Sequence, residues 1–216
     1  MTRIFPALVL LVLFWGASVA GSQQPARRPG RIFSPTDIGL LEAPDREAWQ
    51  KPDQVMDSLQ VAEGSVVADL GAGGGWFTIR LARRVGPNGL VYAEDIQRLM
   101  IEAIQRRVQR EGLSNVHPML GTKDDPGLPT GAVDAVLIVD SFQEMEEPSV
   151  LLRNVGKALK PNGLIGIIGY RQGQGGPGPD ERIAPNVIID TAKAAGLKFI
   201  GQENFLRYQY FLRFGK

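Results

Sequence analysis

The sequence contains no cysteine. That excludes disulfides, zinc–thiolate sites, iron–sulfur clusters, a thiol nucleophile and a lipid-modified N-terminal cysteine. Histidine is almost as scarce, with His117 the only one, which is too few for a histidine-rich metal site. Neither sign of charge is in real excess. Lys and Arg number 24 against 23 Asp and Glu, a formal net charge of +1. This balance gives no electrostatic case for nucleic acid as the main partner. The cluster Arg106, Arg107 and Arg110 reads as the solvated face of a helix. What remains is ordinary globular composition, 44% hydrophobic and 22% charged over 216 residues. Such a chain has room for one α/β domain that buries its own core without staples.

The first residues follow a different pattern. Arg3 and the free amino group make a short positive region, and Ala7 to Trp15 is an uninterrupted apolar run. Ser18-Val19-Ala20 then offers small residues before a cut. Residues 1–22 are therefore expected to be a cleaved signal peptide, with the protein periplasmic or secreted. The alternative is an uncleaved inner-membrane anchor formed by residues 4–20, although that stretch falls short of the roughly 20 residues a spanning helix needs. A buried first helix is excluded because no polar face is present. Loss of the leader leaves 23 basic against 23 acidic residues. Residues 23–35, rich in Pro, Arg, Gln and Ser, read as a disordered, extended tether. The domain proper is expected over 36–216.

Within it, apolar runs alternate with helix-period segments. Strands are expected at 65–70, 90–95, 115–120, 133–140 and 164–170, and helices at 76–85, 99–111, 149–159 and 185–195. The Gly- and Pro-rich stretch Arg171–Asp180 cannot be a regular element and is expected to act as a lid. Two closing strands, 197–203 and 206–214, have little between them, as an antiparallel pair would. Alternating β and α segments imply a parallel sheet with helices on both faces. Sheets of that kind bind ligands at the carboxyl ends of their strands, near the switch in strand order.

The chemistry is concentrated at those ends. The first strand runs into Asp69-Leu70-Gly71-Ala72-Gly73-Gly74-Gly75-Trp76, where glycines let the backbone turn tightly and approach a ligand. A dinucleotide loop requires G-x-G-x-x-G, but counting from Gly71 ends on Trp76 and counting from Gly73 ends on Thr78. A P-loop lacks its Gly-Lys-Ser/Thr ending. An acid at the mouth of the loop repels a pyrophosphate and suits a cationic amino group, which points to an amino-acid-bearing nucleoside. The alternative for Asp69 is a turn or capping residue. The second strand ends in Glu94-Asp95, about 20 residues beyond the glycines, where an acid can accept from both ribose hydroxyls. Asp95, at the strand exit, is the stronger candidate, and alternation points Glu94 to the other side. After the third strand, Gly121-Thr122-Lys123-Asp124-Asp125-Pro126 forms a polar turn able to hold an adenine. Trp49 and Trp76 are candidates for a pocket wall or for the core.

On these motifs the sequence resembles the class I S-adenosyl-L-methionine (SAM)-dependent methyltransferases. They stand here as VADLGAGGGWFT, VYAEDI, LGTKDDP and VDAVLIVDSFQEM, followed by LLRNVGKALKPNGLIGIIGY. Within that class the chain is similar to exported or membrane-tethered bacterial methyltransferase-domain proteins, which share a lead-in like Asp45–Pro52. The resemblance implies a three-layer Rossmann-like α/β sandwich, with a seven-stranded, mostly parallel sheet whose last strand is antiparallel and inserted. It implies that Asp69, Gly71, Ala72, Gly73 and Gly75 hold the methionine part of SAM. Asp95 would hold the ribose, Ile96 would pack on the adenine, Thr122, Lys123 and Asp124 would lie beside the base, and Asp140 would lie near the sulfonium. Relatives carry a Tyr-His-Glu-like run after strand four, but Gln143 stands at the histidine position here and cannot act as a general base at neutral pH. Glu144 remains as the catalytic candidate, the alternative being an acid that favours a helix N-terminus.

The expected activity is methyl transfer from SAM to a small-molecule acceptor, with no metal, no nucleic acid, and membrane contact only through an uncleaved leader. The alternatives are a non-catalytic SAM-binding protein and an NAD-dependent oxidoreductase, the latter disfavoured by Trp76 in the glycine loop. A strong base is needed only for a nucleophile of high pKa, so its absence does not count against the reaction.

Overall fold

A computed structural model describes residues 29–216 apart from 174, 176, 177, 179 and 180. The expected leader, the tether as far as residue 28, and half of the 171–180 stretch lie outside the described residues. The domain begins with a 3₁₀ helix (Pro35–Glu42) and two short helices, α1 (Arg46–Gln50) and α2 (Pro52–Ser58). Then follow β1 (Val66–Leu70), α3 (Trp76–Val85), β2 (Leu90–Asp95), α4 (Arg98–Arg110), β3 (Val116–Leu120) and β4 (Val133–Val139). A 3₁₀ turn (Phe142–Glu144), α5 (Pro148–Ala158), β5 (Leu159–Tyr170), α6 (Pro185–Ala194), β6 (Lys198–Glu203) and β7 (Gln209–Gly215) complete it.

The seven strands form one sheet in the order β3-β2-β1-β4-β5-β7-β6. β1 pairs in parallel with both β2 and β4, so the strand order reverses between β1 and β4. β7 lies antiparallel between β5 and β6, the inserted strand that the resemblance implied.

The run VDAVLIV of β4 is apolar throughout because both sheet faces are covered. Val136 and Ile138 pack with Leu152 and Val155 of α5 and Ile188 of α6. Ala135 and Leu137 face the other way, onto Val55 and Met56 of α2 and Leu81 and Val85 of α3. Alternation along one buried strand thus feeds two separate cores, as a doubly covered parallel sheet requires. His117 is exposed on edge strand β3, its ring edge-on to Tyr92 at 5.8 Å.

β5 starts five residues earlier than its apolar run suggests. Leu159, fully buried, already pairs with Val133, and the next paired residue, Leu164, lies opposite Ala135. Lys160–Gly163 is extra length absorbed in that irregularity, where the Lys160 ammonium bonds both oxygens of Asp134 at 2.8 Å. At the other end, β7 starts at Gln209 rather than 206: Leu206 is buried but lies before the strand.

Candidate functional site

A cavity of about 440 Å³ opens at the carboxyl ends of β1, β2 and β4, over the reversal in strand order. The glycine loop forms its floor. Gly71, Gly73 and Gly75 all have positive φ, at 67°, 55° and 77°, a region that favours glycine. At Gly71 space adds a second constraint, because a Cβ there would stand 2.6 Å from the Ser141 side chain. The Gly73 N–H donates to the Asp95 carboxylate at 3.0 Å, which ties the loop to the end of β2. A side chain on Gly73 would meet Leu41 at 3.1 Å, so it would crowd the N-terminal segment rather than open space.

Asp69 and Asp95 line the cavity, both almost wholly buried. The Thr78 hydroxyl donates to Asp69 at 2.6 Å. Burial nevertheless raises the Asp69 pKa to about 6. Asp95 accepts from the N–H groups of Gly73 and Gln97 (2.9 Å). Burial raises its pKa as well. Glu94, which alternation assigns to the opposite side, also borders the cavity. Its carboxyl fills the space left by Gly121, where a Cβ would stand 1.9 Å from Glu94 Oε1. Burial, reinforced by the neighbouring charges of Asp95 and Asp69, pushes Glu94 up to about 8.

Ala72, Ile96, Thr122 and Lys123 also line the cavity, with Ile96 43% exposed. Two expected residues do not. Gly75 caps α3 from below, its absent side chain directed at Ile104. Asp124 belongs to a self-closed turn: it accepts from the Thr122 hydroxyl at 2.8 Å, and its carbonyl is held by Asn154. With the turn closed, Asp124 is exposed and stands outside the cavity lining.

Glu144 lies on the cavity wall, but its position differs from a helix N-terminal acid, since α5 begins only at Pro148. Its Oε2 accepts from the Phe33 N–H at 3.0 Å, and burial raises its pKa to about 6. The described end of the expected tether is therefore bound over the cavity. Gly30 N–H donates to the Gln143 carbonyl (2.7 Å), and the Gln97 side chain donates to the Phe33 carbonyl (3.0 Å). Arg107 is not on a solvated face, as its charge cluster suggested. It grips Glu42 of the 3₁₀ helix and the Gly74 carbonyl.

Sequence reasoning missed the polar group around Asp140. Arg46 of α1 sits in the cavity wall, its guanidinium 4.3 Å above the Trp76 ring. Its Nε donates to Gln50 at 2.5 Å. The Gln50 amide then donates to Gln209 (3.2 Å) and Asp140 (3.4 Å), and Gln209 donates to Asp140 at 2.6 Å. Burial pushes Asp140 up to about 7, against the pull of Arg46 and both glutamines. The lead-in Asp45–Pro52 holds Arg46 and Gln50, but nothing local ties them to Asp140 or Gln209, because the group converges from three distant elements.

The cradle fits a cationic nucleoside. Six carboxyl groups border the cavity, and five of them, at Asp69, Glu94, Asp95, Asp140 and Glu144, are raised in pKa chiefly by burial. A pyrophosphate would add negative charge to that wall, whereas a sulfonium and an ammonium relieve it.

Residues 67–163 match a family described as the methyltransferase domain. A nocamycin O-methyltransferase from Saccharothrix syringae is 30% identical over 116 residues, covering 54% of this chain and 41% of that protein. A demethylmenaquinone methyltransferase from Geobacillus stearothermophilus is 29% identical over 116 residues, covering 54% of this chain and 49% of that one. The chain thus spans less than half the length of either relative. A solved SAM-dependent methyltransferase from Aquifex aeolicus superposes with a TM-score of 0.79 at 27% identity, covering 85% of this chain and 98% of that chain. The family match runs through the glycine loop, Asp95 and β4, and the solved relative covers nearly the whole described domain; residues 67–163 match the methyltransferase-domain family, the fold is that of the class I, Rossmann-like SAM-dependent methyltransferases, and SAM is the cofactor that goes with it.

Proposed function

We propose that the protein transfers a methyl group from SAM to a small-molecule acceptor. The observation that carries this reading is the acid-lined glycine cradle, whose buried carboxyls at Asp69, Glu94 and Asp95 favour a bound cation. When bound, SAM supplies an electrophilic methyl group on a positively charged sulfur. In this reading Asp69 holds the ammonium group and Arg46 the carboxylate of the amino-acid end. Asp95 accepts from the ribose hydroxyls, and Ile96 packs on the base with Thr122 and Lys123 beside it. Phe33, held by Glu144 and Gln97, and Leu41, whose carbonyl accepts from Arg46 at 2.6 Å, exclude water from the reacting atoms. Direct displacement needs little more than alignment, and orientation can supply roughly 7–11 kcal/mol of the barrier. The names of the relatives, an O-methyltransferase and a quinone-pathway methyltransferase, support a small organic acceptor.

Titration separates this reading from its rivals. SAM and its demethylated product are both expected to bind, and NAD is not. The pH dependence adds a sharper expectation. A bound cation stabilises the ionised carboxyls, so SAM binding should release protons wherever the free site is still protonated. SAM affinity should therefore rise between pH 6 and pH 8, the interval spanned by Asp69 and Glu94. The limit is tenfold per pH unit for each proton released. The demethylated product lacks the sulfonium charge and should rise less. Failure to bind either nucleoside, or equal affinity for NAD, would overturn the assignment.

We further propose that the domain is exported behind a cleaved leader, on the strength of the apolar run that ends in Ser18-Val19-Ala20. N-terminal sequencing of native protein should begin near Gly21. A chain starting at Met1 or Thr2 in the membrane fraction would establish the anchor instead.

A further inference from the structure

Asp140 is held unusually firmly. Its N–H donates to the Ile168 carbonyl at 2.9 Å, and its carbonyl accepts from the Gln143 side chain. Its φ is 53°, the left-handed region that a non-glycine residue seldom occupies. Both glutamine amides converge on one carboxylate oxygen, Oδ2. Their orientation is fixed, because Gln50 Oε1 accepts from Arg46, which leaves the Gln50 NH₂ to face Asp140 and Gln209. The other oxygen, Oδ1, is buried and has no hydrogen-bond partner among the described residues. The same is true of Nε1 of Trp49, a second residue of the cavity wall. One buried acceptor and one buried donor, on two residues that line the same cavity, are thus unpaired among the described residues, and groups of this kind are almost always satisfied in a working state.

Resting on the methyltransferase reading above, we propose that Asp140, Trp49 and Tyr170 form the acceptor subsite and take a hydroxyl group carried on a flat aromatic ring, with Asp140 receiving the hydroxyl proton. A hydroxyl is the group that both donates to a carboxylate oxygen and accepts from an indole N–H. An ammonium has no lone pair for Trp49, and a carboxylate would face the charge of Asp140. The ring follows from the wall itself. Trp49 and Tyr170 lie with their ring centroids 6.3 Å apart and tilted by 44°, and Met145 and Leu151 add apolar surface. Phenolic acidity also suits a carboxyl that burial has raised to about 7, whereas an aliphatic alcohol holds its proton too tightly for such a base. The charged and titratable groups that act on Asp140 are Arg46 from α1, Glu144 from the 3₁₀ turn, and Tyr170 and Tyr210 from β5 and β7.

The step balances without another reagent. The phenolic oxygen forms a bond to the methyl carbon of SAM as the carbon–sulfur bond breaks. That bond's electron pair stays on sulfur as a neutral thioether. The proton passes to Asp140 Oδ1, leaving a neutral carboxylic acid and an aryl methyl ether.

The probe is 4-nitrophenol, with 4-nitroanisole as its proton-less counterpart, titrated into the full chain saturated with the demethylated product of SAM. Wild type is expected to bind the phenol at least tenfold more tightly than the ether. With SAM it should slowly convert one into the other, followed by loss of phenolate absorbance and by mass spectrometry. Asp140→Asn should keep nucleoside binding within about threefold, lose the preference for the phenol, and lower kcat at least a hundredfold. If Asp140→Asn does not fold, Trp49→Phe decides, since it keeps a ring and loses only the donor; it should weaken binding of the phenol about tenfold and leave the preference over the ether in place. Equal binding of phenol and ether by wild type, an unchanged preference in folded Asp140→Asn, or unchanged phenol affinity in Trp49→Phe overturns the proposal while the cofactor reading stands. Loss of nucleoside binding by wild type overturns both.

Discussion

Asp95→Ala is expected to weaken SAM binding at least tenfold and to lower the melting temperature as well. The carboxylate is only 6% exposed and holds two backbone donors, Gly73 N–H in the glycine loop and Gln97 N–H at the start of α4. The ribose hydroxyls, in the proposed mode of binding, add to a group already engaged in shaping the loop. A hydrogen bond to a charged group contributes roughly 1.5–3 kcal/mol, and 1.4 kcal/mol is a factor of ten in affinity. Its place at the strand exit suggests a partly exposed acid whose loss leaves the fold standing. The structure corrects this, because alanine strands both N–H donors. A net loss on the order of 2 kcal/mol corresponds to about 4–8 °C for a domain of this size. Asp95→Asn retains an acceptor and should fall between wild type and alanine. Calorimetric titration with SAM, paired with thermal melts, reads both effects. A folded Asp95→Ala protein that binds SAM as tightly as wild type would remove Asp95 from the site.

Glu94→Gln should stabilise the ligand-free protein at pH 8 and change little at pH 5. Burial raises the folded-state pKa of Glu94 from 4.5 to about 8. Between those values the native state holds a proton that the unfolded chain has released, so stability falls as pH rises through the window and levels off above it. The slope for one such group reaches about 1.4 kcal/mol per pH unit. Asp69 and Asp140 tilt the curve in the same direction, but only up to about 6 and about 7. Between pH 7 and pH 8 Glu94 is therefore the main contributor among the three. Glutamine copies the shape of the protonated acid and does not titrate, so the variant should lose the slope in that last interval. Urea midpoints measured from pH 5 to pH 8.5 check it. A variant whose midpoints track wild type throughout would show that the buried acid is not held protonated.

Much of the frame was legible in the sequence because it is local. Strand, glycine turn, helix and acid follow one another within 27 residues of chain from Asp69 to Asp95, and each carries its own residue preference. The inserted antiparallel strand was legible by resemblance alone. Glu94 was misread for a physical reason. Alternation does send it to the other side of β2, but at a strand's end both sides border the same opening. The available signal was Gly121, at the exit of the neighbouring strand, where a missing side chain makes room for another. Asp124 was misplaced because its turn closes on itself. The N-terminal strap was missed because Gly30, Phe33 and Leu41 show no periodicity and gain meaning only from Gln143, Glu144 and the glycine loop.

The bond from Gln50 to Gln209 joins residues 159 positions apart. A folding chain closes loops of that span at an entropic cost that nearer contacts avoid. The glycine loop and its two flanking strands can assemble from neighbouring sequence. The bridge across to β7 waits until α1 and the far strand are both in place. In kinetic terms the cofactor floor is expected to form early, from local contacts, and the polar wall around Asp140 late. Interactions made after the transition state govern how fast a protein unfolds rather than how fast it folds. The two glutamines that aim Asp140 then also act as a brake on unfolding, and weakening them shortens the lifetime of the native state while leaving its rate of formation nearly unchanged.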